Sequence, residues 1–347
     1  MPNESTTPTE SDERKSGKRS RRIHLILCYL AGFILLSVLW YSTYRTFFTG
    51  PKIRIYESTT AATNNQTNNS LRIGTYNIAH GRGPDSGTWE KFHGGGRTAR
   101  RKRLDAIAEL LRTNNLDVVI LNEVDFAVLN SWHVNQAEHI ARKAGFPFRL
   151  EQRNYDANLF GLRFQAGNAV LSRHPIAEAE SIDYPSSRTA QKALLGNKQG
   201  VICTIIPRTG IPFRLIPVHL NHESIPTRLA SAKILVTLAS NDPLPTILAG
   251  DFNSAPSGVP PADRNDGRRS ALDLFTNAFT HLPSVSTNSD HLATYPSENP
   301  NLALDWILIP DNWAPQSFAI PHSTLSDHLP VIAEFVPHPS IAGTLNQ

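Results

Sequence analysis

The sequence predicts an α/β domain that follows a single apolar helix near its N-terminus. Short apolar runs recur from Leu71 to Phe335, stretches with apolar residues at helical spacing stand between several of them, and the run Ile23 to Tyr44 carries no formal charge. Forty per cent of the 347 residues are apolar, enough for a sizeable core, so a globally disordered chain is excluded.

Residues 1–22 read as a polar, disordered cytoplasmic tail. They carry six basic side chains (Arg14, Lys15, Lys18, Arg19, Arg21, Arg22) against four acids. Residues 23–44 read as a transmembrane anchor, since about 20 apolar residues at about 1.5 Å each span the bilayer core. Trp40, Tyr41 and Tyr44 fall where an aromatic belt lies. The basic cluster just before the run predicts a cytoplasmic N-terminus and an extracytoplasmic C-terminal domain. A cleaved signal peptide is the competing reading, and it lacks a small-x-small cleavage site after the run. Residues 45–70, ending TTAATNNQTNNS, read as a flexible linker with sequons at Asn65 and Asn68.

From Leu71 the elements follow in order. LRIGTYNI (71–78) is a strand. Arg100 to Thr113 is a helix with Leu104, Ile107, Ala108 and Leu111 on one face. LDVVILNEV (116–124) is a buried strand, and Trp132 to Ala144 a second helix. NAVLS (168–172), GVICTII (200–206) and FRLIPVHL (213–220) are strands, and Ser224 opens a helix that runs to Ser240. PTILAGDF (245–252), LDWILI (304–309) and PVIAEF (330–335) complete the strands. Residues 254–300, rich in Pro, Ser, Asn and Asp, read as long loops around a short helix, and 337–347 as a frayed tail.

The net charge of +4 and pI near 9.1 invite a nucleic-acid reading. Half of that excess sits in residues 1–22, so the domain behind the anchor is nearly neutral. A general basic coat for a phosphate backbone is absent. Two cysteines, Cys28 in the apolar run and Cys203 in a strand, exclude a disulfide framework.

The polar residues that end the strands carry the functional signal. Asn77 closes the first strand, Glu123 the second, and His219 ends FRLIPVHL. Asp251 and Asn253 end PTILAGDFN, Asp305 begins LDWILI, and Asp327 and His328 precede the last strand. Sites in α/β sheets gather at strand ends, where loops converge over one edge. Hard oxygen donors such as Glu123, Asp251, Asn77 and Asn253 suit Mg²⁺, Mn²⁺ or Ca²⁺ better than zinc. Histidines and amides remain for phosphoryl oxygens, a combination that suits phosphate-ester hydrolysis.

The ordered blocks TYNIAHGRG, ILNEVD, GNAVLSRHPI, PVHLNH, LAGDFN, LDWI and SDHLPV resemble the endonuclease/exonuclease/phosphatase superfamily over residues 71–336. The resemblance implies a four-layer α/β sandwich of two packed mixed sheets flanked by helices. It also implies Glu123 as principal metal ligand, assisted by Asn77, with Asp327 near the metal. Asp251 would orient or deprotonate the attacking water while bordering the metal, and Asn253 would hold the phosphate or the transition state. His328 would contact the scissile phosphate with Asp305 behind it, His219 would protonate the leaving oxygen, and Asn168 would bind phosphate. Asn122 stands where the family more often has Gln, and HGRGPDSGTWEKFHGGGRTARRKR (80–103) places a glycine-rich basic loop after the Asn77 strand.

The expected activity is hydrolysis of a phosphodiester or phosphomonoester without a covalent enzyme intermediate. A lipid headgroup or small phosphoester is favoured, and no obligate protein partner is inferred. An extracytoplasmic nuclease is the nearest alternative. An inactive, membrane-tethered binding module is the alternative of another class. The basic run Arg97, Arg100, Arg101, Lys102 and Arg103 reads as a solvated helix face, with an anionic substrate or lipid headgroups as the other reading. His80, His93, His174, His222, His281 and His291 receive no role.

Overall fold

In each long apolar run, alternate side chains face two different cores, and this drives the chain into stacked sheets. The structure is a computed structural model. It describes residues 10–47, 52–58, 69–84, 94–159, 162–185, 199–207, 211–259, 270–284 and 291–338. The chain divides into two units, Met1–Gly50 with Ala157–Leu162, and Pro51–Asp156 with Arg163–Gln347.

The first unit is dominated by helix α1, Glu10–Phe47. Its stretch Arg21–Tyr41 is long and apolar enough to cross a membrane, and none of that stretch is buried. Helical backbone begins at Glu10, within the residues expected as a polar tail.

The strands lie in the second unit, apart from the ends of the fourth and fifth that fall in Ala157–Leu162, and are β1 (Ile53–Glu57), β2 (Leu71–Asn77), β3 (Val118–Val128), β4 (Phe148–Leu159), β5 (Leu162–Ser172), β6 (Ile176–Asp183) and β7 (Gln199–Ile205). They continue with β8 (Phe213–His219), β9 (Thr246–Asp251), β10 (Phe279–Leu282), β11 (Asp305–Pro310), β12 (Ala314–Ala319) and β13 (Val331–Val336). One sheet has seven strands in the order β1-β4-β5-β3-β2-β13-β12, and the other six in the order β10-β11-β9-β8-β7-β6. Both are mixed: β2 runs parallel to β3 and β8 parallel to β9, among antiparallel neighbours. The helices are α2 (Gly96–Thr113), α3 (Gln136–Ala144) and α4 (Ile225–Asn241).

Strand β3 shows how the layers arise. Val118 and Ile120 enter the core between the sheets, with Leu215, Ile247 and Ile307 of the other sheet. Val119 and Leu121 face the opposite way, against Leu104, Ile107 and Leu111 of α2 and Ile140 of α3. On the far side, Ala232 and Leu235 of α4 cover Ile216, Val218 and Leu248. Helices, sheet, sheet and helix therefore form the four expected layers, with the central strands of each sheet buried on both faces.

Several elements differ from expectation. The helix expected from Trp132 begins at Gln136, because Asn135 caps it by accepting the Glu138 N–H at 3.0 Å, while Trp132 and His133 take left-handed backbone. Ile53–Glu57, expected inside a flexible linker, pairs along β4, and Ile53 packs against the inter-sheet core. Among the described residues, 254–300 hold a 3₁₀ turn at Leu272–Leu274 and also the strand β10. Strands β4, β6 and β12 carry too many polar side chains to read as apolar runs. The sequons at Asn65 and Asn68, His93 and the tail beyond His338 lie outside the described residues.

Candidate active site

Strand register brings the polar ends together. Asn77 at the end of β2 lies opposite Asn122 of β3. In the second sheet, His219 of β8, Asp251 of β9 and Asp305 of β11 stand in one cross-strand row. Glu123 needs a local device to reach this row. It takes φ +53° at an irregularity in the β3–β5 pairing between Leu121 and Val124, which breaks the in-out alternation. Its side chain remains 34% exposed where those of its strand neighbours are buried.

The two sheets meet at the Asn77 amide. Its Nδ2 donates to Glu123 Oε1 at 3.3 Å and to Asp251 Oδ2 at 3.2 Å, and lies 3.5 Å from His328 Nε2. Its oxygen accepts the Ala79 N–H at 3.1 Å, which fixes this orientation of the amide. His219 Nε2 is 3.9 Å from Glu123 and 3.8 Å from Asp251. His328 Nδ1 is 2.8 Å from Asp305 Oδ2, which also accepts the Thr294 hydroxyl at 2.6 Å. Asn253, at φ +49°, donates its N–H to Asp251 Oδ1 at 2.8 Å and its amide to the Leu220 carbonyl at 3.2 Å. Asp327 accepts the Ser326 hydroxyl at 3.3 Å and acts electrostatically on His328.

Asn168 joins through Asn122, whose amide donates to Asn168 Oδ1 and to the Val218 carbonyl, both at 3.0 Å. Asn122 Oδ1 in turn accepts the Asp251 N–H at 3.1 Å. The Asn that departs from the family's usual Gln thus ties four strands of the two sheets directly beneath the site. Every residue expected in the site is therefore gathered in one place.

Charge explains the titration of the cluster. Burial pushes the Asp251 carboxyl up to about 7, with Asp305 and Glu123 adding to the rise against the opposing His328. Burial would lower the His328 imidazole, but the Asp305 charge and hydrogen bond, with Asp251 and Asp327, carry it up to about 10. At Glu123 desolvation is outweighed by His80, His219 and His328 and by the Asn77 hydrogen bond, and the carboxyl falls to about 2.

Two sheets with helices outside, and acids, amides and imidazoles at one rim, are matched by one family description. Residues 74–328 match the model of the Endonuclease/Exonuclease/phosphatase family. The chain belongs to this family. It is 28% identical to the Escherichia coli (strain K12) protein YbhP over 246 residues, which is 68% of this chain and 89% of YbhP. A solved structure of the mannosyl-6-phosphatase Bt3783 of Bacteroides thetaiotaomicron VPI-5482 matches with a TM-score of 0.52 at 16% identity, over 77% of this chain and 99% of that one. The human Nocturnin catalytic domain, solved with a bound sulfate anion, matches with a TM-score of 0.52 at 14% identity, over 82% and 97%. Both likenesses show the fold.

Members of the endonuclease/exonuclease/phosphatase family are hydrolases of phosphate esters and generally depend on a divalent metal. The residues present fit such an ion. Glu123, Asp251 and Asp305 crowd together, and their repulsion contributes to the raised Asp251 carboxyl, a strain that a cation relieves. Asp251, Asp305 and His328 offer donor atoms within 4.8 Å of one another and could hold a metal. Within that trio, Asp305 Oδ2 is already engaged by Thr294 and His328, whereas its Oδ1 is buried without a hydrogen-bond partner. The more exposed Glu123 is the freer carboxylate.

Sequence reasoning passed over three contributors to this family site. His80 contacts Asp125 at 2.7 Å and faces Glu123 at 3.5 Å. Tyr295 lies with its ring centroid 4.9 Å from that of His328. Thr294 buttresses Asp305. Only His80 had a signal, its place in TYNIAHG next to Asn77. The other two come from a loop of no particular pattern.

Proposed function

We propose that this chain is a membrane-anchored, divalent-metal-dependent phosphoesterase. It hydrolyses a phosphodiester or phosphomonoester by direct attack of water, with a lipid headgroup or small phosphoester as substrate class. One observation carries the reading: the Asn77 amide lies between Glu123 and Asp251, so acids from the two sheets converge beside two imidazoles.

Glu123 and Asp327 would hold the cation, with Asp251 at its border; Asn77 presents Nδ2 here, so its oxygen would join them only with the amide turned over. When bound, the cation supplies charge stabilisation to the phosphoryl oxygens. Asp251, kept as a carboxylate by the neighbouring cation, would orient the attacking water and take its proton. His328, kept as an imidazolium by Asp305, donates from Nε2 to a phosphoryl oxygen as charge builds there. Asn253 and Asn168 offer amide contacts to the same phosphate. His219, at the end of β8, gives its proton to the leaving oxygen.

Anchoring rests on the unburied apolar stretch Arg21–Tyr41 behind a basic cluster. With a cytoplasmic N-terminus the domain would stand outside the cytoplasm, where a lipid or small phosphoester is at hand. The near-neutral charge of that domain favours the same substrates over nucleic acid. The complete set of acids and histidines argues against an inactive binding module.

Asp251→Asn and His328→Gln should each lower kcat/KM by about 10²- to 10⁴-fold while leaving the fold intact. Chelation should remove activity, and Mg²⁺ or Mn²⁺ should restore it. Turnover that survives both substitutions would refute the roles. Assays should compare a choline-phosphate lipid, a sugar phosphate (suggested by the Bacteroides neighbour's name) and plasmid DNA. DNA nicking at a comparable rate would make the nuclease reading the better one.

A further inference from the structure

His80 stands three residues past the end of β2, in a turn where Ala79, His80 and Gly81 have φ of 45°, 54° and 68°. Two of these residues are not glycine, and left-handed backbone costs such residues about 1 kcal/mol or more each. Buried partners hold the turn in place. The His80 carbonyl accepts from Gln136 Nε2 at 2.7 Å and Arg100 Nη1 at 3.3 Å. Gln136 Oε1 accepts the Asp125 N–H at 3.0 Å, which links the turn to the strand that carries Glu123.

The result is a ring fixed between two acids. Nδ1 lies 2.7 Å from Asp125 Oδ1, and Nε2 faces Glu123 Oε2 at 3.5 Å. The Glu123 oxygens are thereby divided. Oε2 has His80 on one side, and Oε1 has Asn77 at 3.3 Å and His219 at 3.9 Å on the other. With a third of its side chain exposed, Glu123 has room to swing away if one flank is lost.

We propose that His80 is a positioning residue that, tied down by Asp125, fixes the Glu123 carboxylate in the orientation from which it holds the cation. The inference rests on reading Glu123 as a cation ligand. The arrangement parallels the Asp305–His328 couple, a second imidazole at the rim backed by an acid. Groups that orient a metal ligand typically carry a 10- to 100-fold share of metal affinity.

The test uses the full chain in detergent, with Mn²⁺ as probe. Binding is read from the paramagnetic resonance of free Mn²⁺, and kcat is followed against Mn²⁺ on a chromogenic phosphodiester. His80→Asn tolerates left-handed backbone and keeps an amide near Asp125, but does not reach Glu123. His80→Gln places an amide near the Nε2 position. His80→Asn should weaken Mn²⁺ binding about 10- to 100-fold, with kcat recovering towards the parent value at saturating Mn²⁺. Asp125→Asn should act in the same direction, and His80→Gln should regain part of the loss. Parental Mn²⁺ affinity in both His80→Asn and Asp125→Asn would overturn the inference. So would a lost kcat with unchanged binding, which would put His80 on the substrate instead. Glu123→Gln separates the two levels. If it keeps parental Mn²⁺ binding, the ligand reading falls and takes this inference with it. If it loses binding while the His80 variants do not, this inference alone fails.

Discussion

A single amide nitrogen, Asn77 Nδ2, contacts acids 46 and 174 residues away in the chain. Such a contact follows from a residue's place at a strand end, and its type alone says nothing about which partner it meets. His281 shows the same dependence away from the site. On β10 its Nε2 is buried without a hydrogen-bond partner, and burial lowers the imidazole to about 4 despite Asp273 and Asp311. The unfolded imidazole titrates near 6.5, so below that pH the unfolded state binds the proton that the folded state refuses. Stability should therefore fall as pH drops from about 6.5 towards 4, by on the order of 2 kcal/mol between pH 7 and 5. Urea melts of the parent and of His281→Leu at both pH values check this. Equal pH slopes in the two proteins would show that His281 is not the group responsible.

At the scale of elements, the parallel pair β8–β9 sets the spacing of His219 and Asp251. Gly250 makes that pairing feasible. Its φ is +148°, and a Cβ there would sit 1.9 Å from the Val218 carbonyl oxygen. Gly250→Ala should destabilise the domain by about 3 kcal/mol or more and lower activity further than the stability loss explains, because the strands must part beside the site. Denaturant unfolding together with kcat at a temperature where the variant is fully folded measures both effects. The legible elements share one property. Strands β2, β3, β8, β9, β11 and β13 are buried apolar runs, and Ser224 caps α4 as its sequence position indicates. Strands β6 and β12 are largely exposed, so their alternation is diluted by charged and polar side chains and their pairing comes from neighbours. Strand β1 is five residues of mixed character whose stability comes from β4.

For the molecule as a whole, the apolar helix proposed as an anchor and the family domain differ in composition. A chain starting at Pro51 should fold, remain soluble and keep parental kcat on a water-soluble phosphoester. The full chain should sediment with membranes and resist extraction by salt or carbonate. A protease added outside intact spheroplasts should degrade the domain and spare a tag on the N-terminus. A soluble, cleaved product from the full chain would identify Arg21–Tyr41 as a signal sequence and remove the anchor from the proposal.

Local patterning by itself determined the α/β class, the order of the principal strands and helices, and the residue types available for chemistry at the strand ends. Hydrophobic periodicity and caps are short-range signals, so they survive in the linear chain. The family blocks add the list of site residues in chain order. Only tertiary structure decided which oxygen meets which nitrogen. The left-handed bulge that turns Glu123 towards the Asn77 amide, the amide of Asn122 that ties both sheets under Asp251, and the His80–Asp125 couple all arise where segments far apart in sequence pack together. Their positions follow from sheet register and core burial, which are properties of the assembled layers and of no single segment.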